Sequence, residues 1–151
     1  MLHVVLVEPE IAPNVGNIAR TCAATGCRLH LVGPLGFRLD DRALRRAGVD
    51  YWDVVDWVRY RNWEEFRGNI GNKQMWLFTA RGGQPYHRVP YRDEDCLVFG
   101  CESRGLPESL LAECRAWQVC IPLPSGKVRS LNLATAVGIA VLRALESLGR
   151  I

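Results

Sequence analysis

An α/β domain, with a mainly parallel sheet and helices on both faces, is the fold class that three features of this 151-residue sequence predict. Short, continuously apolar runs (LHVVLV at 2–7, MWLFT at 75–79, CLVFG at 96–100) read as strands covered on both faces, which is how parallel strands are buried. The first run leads through a helical segment into a second strand, a βαβ unit whose crossover is expected to be right-handed. The stretch 121–137, IPLPSGKVRSLNLATAV, passes from strand end through an irregular loop to a helix start without a spacer. Junctions of that kind put backbone N–H and C=O groups at the carboxyl edge of the sheet, where open α/β folds bind their ligands. The length suits a single domain over 1–151 with one continuous core.

After the strand at 2–7, Glu8-Pro9-Glu10-Ile11-Ala12-Pro13 breaks the run, and 14–25 reads as a helix stopped by Gly26. A strand at 28–32 follows. Asp40-Asp41 caps a short helix over 42–47 closed by Gly48, its acidic start and basic end matching the helix dipole. Next come a short strand at 53–58, a helical turn at 63–67, the strand at 75–79 and a turn at 81–85. The strand at 96–100 runs into Glu102-Ser103-Arg104-Gly105-Leu106 and a helix starting at Pro107, where a missing N–H does no harm. The last strand is expected at 117–121 and the last helix at 130–148, capped by Ser130. Leu133, Val137, Ala140, Val141, Ala144 and Leu148 form its apolar stripe, while Ala134, Ala136, Gly138 and Ala140 keep its surface thin. A thin helix admits a neighbour closely, within the monomer or across a homodimer; the dimer is favoured because two-fold assemblies are common.

Hydrophobic residues make up 48% and charged residues 23%, an ordinary globular balance that argues against disordered and fibrous classes. No apolar run approaches the roughly 18 residues of a membrane span. Met1-Leu2-His3-Val4 lacks a basic stretch ahead of an apolar one, so a cytoplasmic protein without a membrane partner is expected. The six cysteines include no CxxC pair and no histidine cluster joins them, which predicts reduced, packed thiols and no metal. The sequence has no GxGxxG after a strand, no Walker loop and no GxSxG elbow, so a nicotinamide oxidoreductase is weakly supported. A net charge of +3 permits an anionic partner without demanding one. If the strands are parallel, the ends at Glu8-Pro9, Phe78-Thr79, Gly100-Cys101-Glu102 and Ile121-Pro122 converge on one edge, with Gly100 admitting a ligand or another backbone.

Three separated blocks resemble, in order and spacing, the motifs of the SPOUT class of RNA methyltransferases. They are NVGNIAR at 14–20, VFGxExxGLP at 98–107, and Ile121-Pro122 through Ser130-Leu131-Asn132-Leu133-Ala134. The opening LVEPEIAPNVGNIART, with Asp41, Arg46-Ala47-Gly48 and Asp50-Tyr51, is similar to the small members that methylate the ribose 2′-hydroxyl of the tRNA wobble nucleotide, cytidine or uridine 34. The resemblance covers nearly the whole chain. It implies a C-terminal trefoil knot, which topology rules alone would count as improbable. It implies S-adenosyl-L-methionine as methyl donor, bound by Phe78, Gly100, Ile121 and Ser130 with Glu102 and Leu131 nearby, and no metal. It implies tRNA, with leucine isoacceptors foremost, as substrate, and a homodimer formed through the C-terminal helix.

A ribose 2′-hydroxyl is a weak acid and a poor nucleophile, whereas a sulfonium methyl is strongly electrophilic. Catalysis therefore requires alignment and a means of handling the hydroxyl proton. Arg20 is the candidate for orienting the hydroxyl and stabilising developing negative charge, with Asn132 and Asn17 fixing the geometry. A salt bridge to Glu8 or Glu10 is the other reading of Arg20. Arg42, Arg45, Arg46, Lys127 and Arg129 are candidates for phosphate contacts, and Tyr51 or Trp52 for stacking on a base, with core packing as the alternative for both aromatics. The loop 123–128 has a composition of its own, and Leu142 stands where such enzymes often carry tyrosine. Alternative functions are a SPOUT enzyme acting at another tRNA position or on ribosomal RNA, and a non-catalytic RNA-binding module.

Overall fold

The computed structural model describes residues 1–39 and 52–151. The helix expected at 42–47, with Arg42, Arg45 and Arg46, and the stacking candidate Tyr51 lie outside the described residues. Among the described residues, seven strands form one sheet: β1 (His3–Val7), β2 (Arg28–Val32), β3 (Trp57–Tyr60), β4 (Met75–Phe78), β5 (Gln84–Pro85), β6 (Cys96–Phe99) and β7 (Gln118–Cys120). Their order is β3-β2-β1-β6-β4-β7-β5, and every pairing is parallel. The three apolar runs became β1, β4 and β6, adjacent strands in the interior of the sheet, where both sides are covered.

Successive side chains of each strand serve opposite layers. Val4, Leu6, Leu97 and Phe99 join Val15, Ile18, Ala19 and Cys22 of α1 (Ala12–Thr25) and Val137, Ala140, Val141 and Ala144 of α4 (Leu133–Ser147). On the other face Val5, Val7, Met75, Leu77 and Val98 meet Phe66 and Ile70 of α2 (Trp63–Ile70) and Leu110 and Leu111 of α3 (Glu108–Glu113). Gly26 ends α1 in the left-handed region at φ 72°, with its N–H returned to the Cys22 carbonyl. The Asn62 side chain caps α2 by accepting the Glu65 N–H, while the Glu65 carboxylate accepts the Arg61 N–H.

Three expectations shift. The strand sought at 53–58 is a turn over 52–54 followed by β3, whose register beside β2 lets the Tyr60 hydroxyl reach His30. The turn at 81–85 hides β5, a two-residue edge strand, and Gly83 is required beside it because a Cβ there would lie 2.5 Å from the Gln118 carbonyl. The last helix begins at Leu133, not Ser130, and its cap is Asn132, whose side-chain oxygen accepts the Thr135 N–H at 3.2 Å. Of the small residues of that helix, Ala140 is fully buried against α1 and the sheet, while Ala134, Ala136 and Gly138 are half-buried.

Candidate active site

The registers bring the expected strand ends together. Phe78 sits opposite both Phe99 and Val119, so the chain leaves β4, β6 and β7 at Thr79, Gly100 and Ile121 within about two strand spacings, roughly 10 Å. The Phe78 ring stacks on Phe99 at 4.7 Å and is buried, so only its backbone is presented at the edge. Gly100 is needed for a close crossing of the chain on itself. A Cβ there would lie 2.0 Å from the Gly105 carbonyl carbon and 2.2 Å from the Leu106 nitrogen. Of the two guests glycine admits, backbone is the one present, and Cys101 and Gly105 close the turn as a bridge.

A hydrogen-bond network then joins all three sequence blocks. The N-cap of helix α1 is Ile11, which has no side chain able to cap it, and Pro13 lacks an N–H. The cap arrives from another loop: Glu102 Oε1 accepts the Glu10 N–H at 2.8 Å, and Oε2 accepts the Ile11 N–H at 2.7 Å and Asn14 Nδ2–H at 3.2 Å. A carboxylate at a helix N-terminus is also favoured by the dipole. Asn14 Oδ1 in turn accepts from Asn132 Nδ2 at 3.0 Å, so the residue that caps α4 is tied to the first turn of α1. Glu10 answers with its own carboxylate, accepting the Ser103 N–H at 2.9 Å and the Ser103 hydroxyl at 2.7 Å. Those two bonds hold the Glu10 carboxyl below its ordinary range.

Over 122–130 the chain is mostly exposed, with Lys127, Arg129 and Ser130 open to solvent and Leu123 half-buried. Ile121 and Leu131 flank it and are half-buried. Arg20 is exposed on α1, six residues and roughly 9 Å of helix beyond Asn14. Asn17 is exposed one turn nearer. Trp52 packs against Trp57, ring centroids 4.6 Å apart, which favours core packing over base stacking. A separate cleft of about 340 Å³ lies on the α2 and α3 side, lined by Val7, Trp63 and Pro107. Its wall carries Glu8, Glu64 and Glu113, a poor surface for RNA phosphates.

The Glu10–Ser103 pairing was not foreseen. Both residues lie in the conspicuous blocks, but a bond across 93 residues of sequence has no local signature. All six cysteines are free thiols, and no described group of His, Cys, Asp and Glu could hold a metal. No described helix is long and apolar enough to cross a membrane.

Comparison with known proteins agrees with this geometry. Residues 1–142 match the model of the SpoU rRNA Methylase family. A tRNA (cytidine(34)-2′-O)-methyltransferase of Saccharophagus degradans is 46% identical, with 99% of this chain aligned to 97% of that protein. A solved structure described as giving insight into the 2-OH methylation of C/U34 on tRNA superposes with a TM-score of 0.93 at 47% identity, covering 99% of this chain and 97% of that one. The AdoMet-bound rRNA methyltransferase of Sinorhizobium meliloti superposes with a TM-score of 0.84 at 27% identity, covering 97% of this chain and 56% of that one.

Proposed function

The chain belongs to the SpoU rRNA Methylase family, and from that premise we propose that it transfers a methyl group from S-adenosyl-L-methionine to the ribose 2′-hydroxyl of cytidine or uridine 34 in tRNA. The observation that carries the reading is the Glu102–Asn14–Asn132 network, which draws the three blocks onto one edge of the sheet.

The residues present fit the donor. Backbone groups along 121–131 offer donors and acceptors for an adenine edge, half-buried Ile121 and Leu131 offer apolar walls, and the exposed Ser130 hydroxyl is free to meet a sugar hydroxyl. Phe78 and Gly100 contribute through their backbone at the adjoining strand ends. Both Glu102 oxygens are engaged, Oε1 by the Glu10 N–H ahead of α1 and Oε2 by the Ile11 N–H and the Asn14 side chain, so its part is to hold the helix start against the loop. Bound there, S-adenosyl-L-methionine supplies an electrophilic methyl on a sulfonium centre. Arg20 has donors and no acceptor, so it orients the ribose hydroxyl and stabilises the charge that develops on its oxygen, while a phosphate or carboxylate oxygen takes the proton. Asn132 keeps the donor loop and α1 in fixed relation by bonding to both helix starts.

Lys127 and Arg129 stand exposed beside the edge and, with Arg42, Arg45 and Arg46, supply the phosphate contacts. The same reading takes the chain as one domain over 1–151 with a trefoil knot, working in the cytoplasm as a homodimer through α4, on leucine isoacceptors first. Incubation with labelled donor and total tRNA, followed by mapping of ribose methylation, tests it: methyl appears at nucleotide 34. Methyl at another position, or in ribosomal RNA, favours a different SPOUT target. Calorimetry that detects tRNA binding without donor binding favours a non-catalytic module.

A further inference from the structure

Two loops meet through a reciprocal pair of contacts whose second half has no role in capping. The Glu102 carboxylate gathers the N–H groups of Glu10 and Ile11, and one residue along on each side the Glu10 carboxylate gathers both donors of Ser103. Each loop thus donates backbone N–H to a carboxylate of the other, a closed double exchange between 10–11 and 102–103. The backbone of Glu10 is also fixed from behind, because Gly36 N–H bonds the Pro9 carbonyl at 2.9 Å and a Cβ on Gly36 would lie 2.8 Å from Glu10 Cα. The first loop leads straight into α1, which carries Asn14 and Arg20; the second leads straight from Gly100. A rigid helix transmits a shift of its first turn to Arg20, roughly 9 Å further on.

We infer that Glu10 and Ser103 are positioning residues for methyl transfer: their two hydrogen bonds lock the start of α1 onto the loop after β6 and so set where Arg20 stands relative to the donor. This rests on the methyl transfer proposed above. Charge-assisted bonds of this length are the strong kind, and since Ser103 is exposed, Glu10 is half-buried and neither belongs to the apolar clusters of the two layers, removing them leaves the core packing in place. A small displacement of an aligned group, remote from the chemistry, is enough to slow a transfer reaction.

The test is single-turnover methylation at saturating donor and tRNA in Glu10→Ala, Ser103→Ala and the double variant, with donor affinity, melting temperature and amide exchange measured on the same proteins. Each single variant slows transfer roughly 10- to 100-fold while donor affinity and melting temperature hold. The double variant is no slower than the slower single one, as expected for two ends of one contact. Glu10→Gln keeps an acceptor oxygen for Ser103 and recovers most of the rate. The amide protons of Ser103 and Ile11 exchange faster in Glu10→Ala. Undiminished rates, multiplicative losses in the double variant, or losses matched by weaker donor binding overturn the inference alone. A wild-type protein that leaves tRNA unmethylated overturns the functional reading and this inference with it.

Discussion

His30 is 2% exposed and yet has both ring nitrogens engaged, Nε2 with His3 Nδ1 at 2.9 Å and Nδ1 with the Tyr60 hydroxyl at 3.0 Å. His3 reaches on to Glu94 at 3.1 Å. The row closes without conflict when Tyr60 donates to His30, His30 to His3 and His3 to Glu94, which leaves both imidazoles neutral. Burial, then the neighbouring His3, with Arg28 and Lys73 against it and Asp56 in favour of charge, pushes His30 down to about 3; burial lowers His3 as well. A histidine that stays neutral in the fold but titrates near 6.5 when unfolded stabilises the protein fully above that value and loses its contribution as pH falls from there toward 3. Urea midpoints should therefore fall between pH 6.5 and 5, above the carboxylate range, by a stability loss on the order of 1–2 kcal/mol; a flat midpoint would contradict this. The side chain proposed for catalysis gives the second prediction at this scale. Arg20→Ala should lower single-turnover methylation on the order of 10²–10⁴-fold with donor binding retained, and a near-normal rate would remove Arg20 from the chemistry.

Among the elements, the turn after β6 is the least tolerant. The atoms a Cβ at Gly100 would strike are backbone, with no flexible side chain to give way. Gly100→Ala should cost about 3 kcal/mol, read as a lowered urea midpoint, and should weaken donor binding because the neighbouring loop must move. The central strands were readable from sequence since burial on both faces leaves an unbroken apolar run, and Gly26 was readable since the end of α1 needs a left-handed residue. The start of α4 was not. Ser130 and Asn132 are both good caps, and what selects Asn132 is a bond to Asn14, 118 residues away. For the same reason the sequence puts the start of α1 at 14 and not at Ala12, since Ile11 has no capping side chain and the carboxylate that takes its N–H, Glu102, comes from a distant loop. The resemblance named the three blocks as partners; the identity of each bond between them depended on tertiary structure. β5 escaped notice because two residues have no period.

For the whole molecule, the face of α4 turned away from α1 is where the proposed dimer is tested. Ile139, Leu142, Tyr86 and Ile151, with the paired charges Arg143 and Glu146 beside them, line a groove of about 420 Å³, with Leu142 51% and Ile151 70% exposed. Apolar side chains gathered this way suit a second copy of the chain. Sedimentation should find a dimer in the wild type, and Leu142→Glu should raise the dissociation constant on the order of 10- to 100-fold, the worth of one buried leucine; a monomeric wild type would defeat the assignment. The sheet border next to this groove, which Tyr86 links to it, excludes a different sort of self-association. The sheet ends at β5, two residues long and closed by Pro85, which has no N–H to offer. An incoming chain finds almost no ladder to zip onto there, so this border resists seeding of fibrils even in a crowded or partly heated sample.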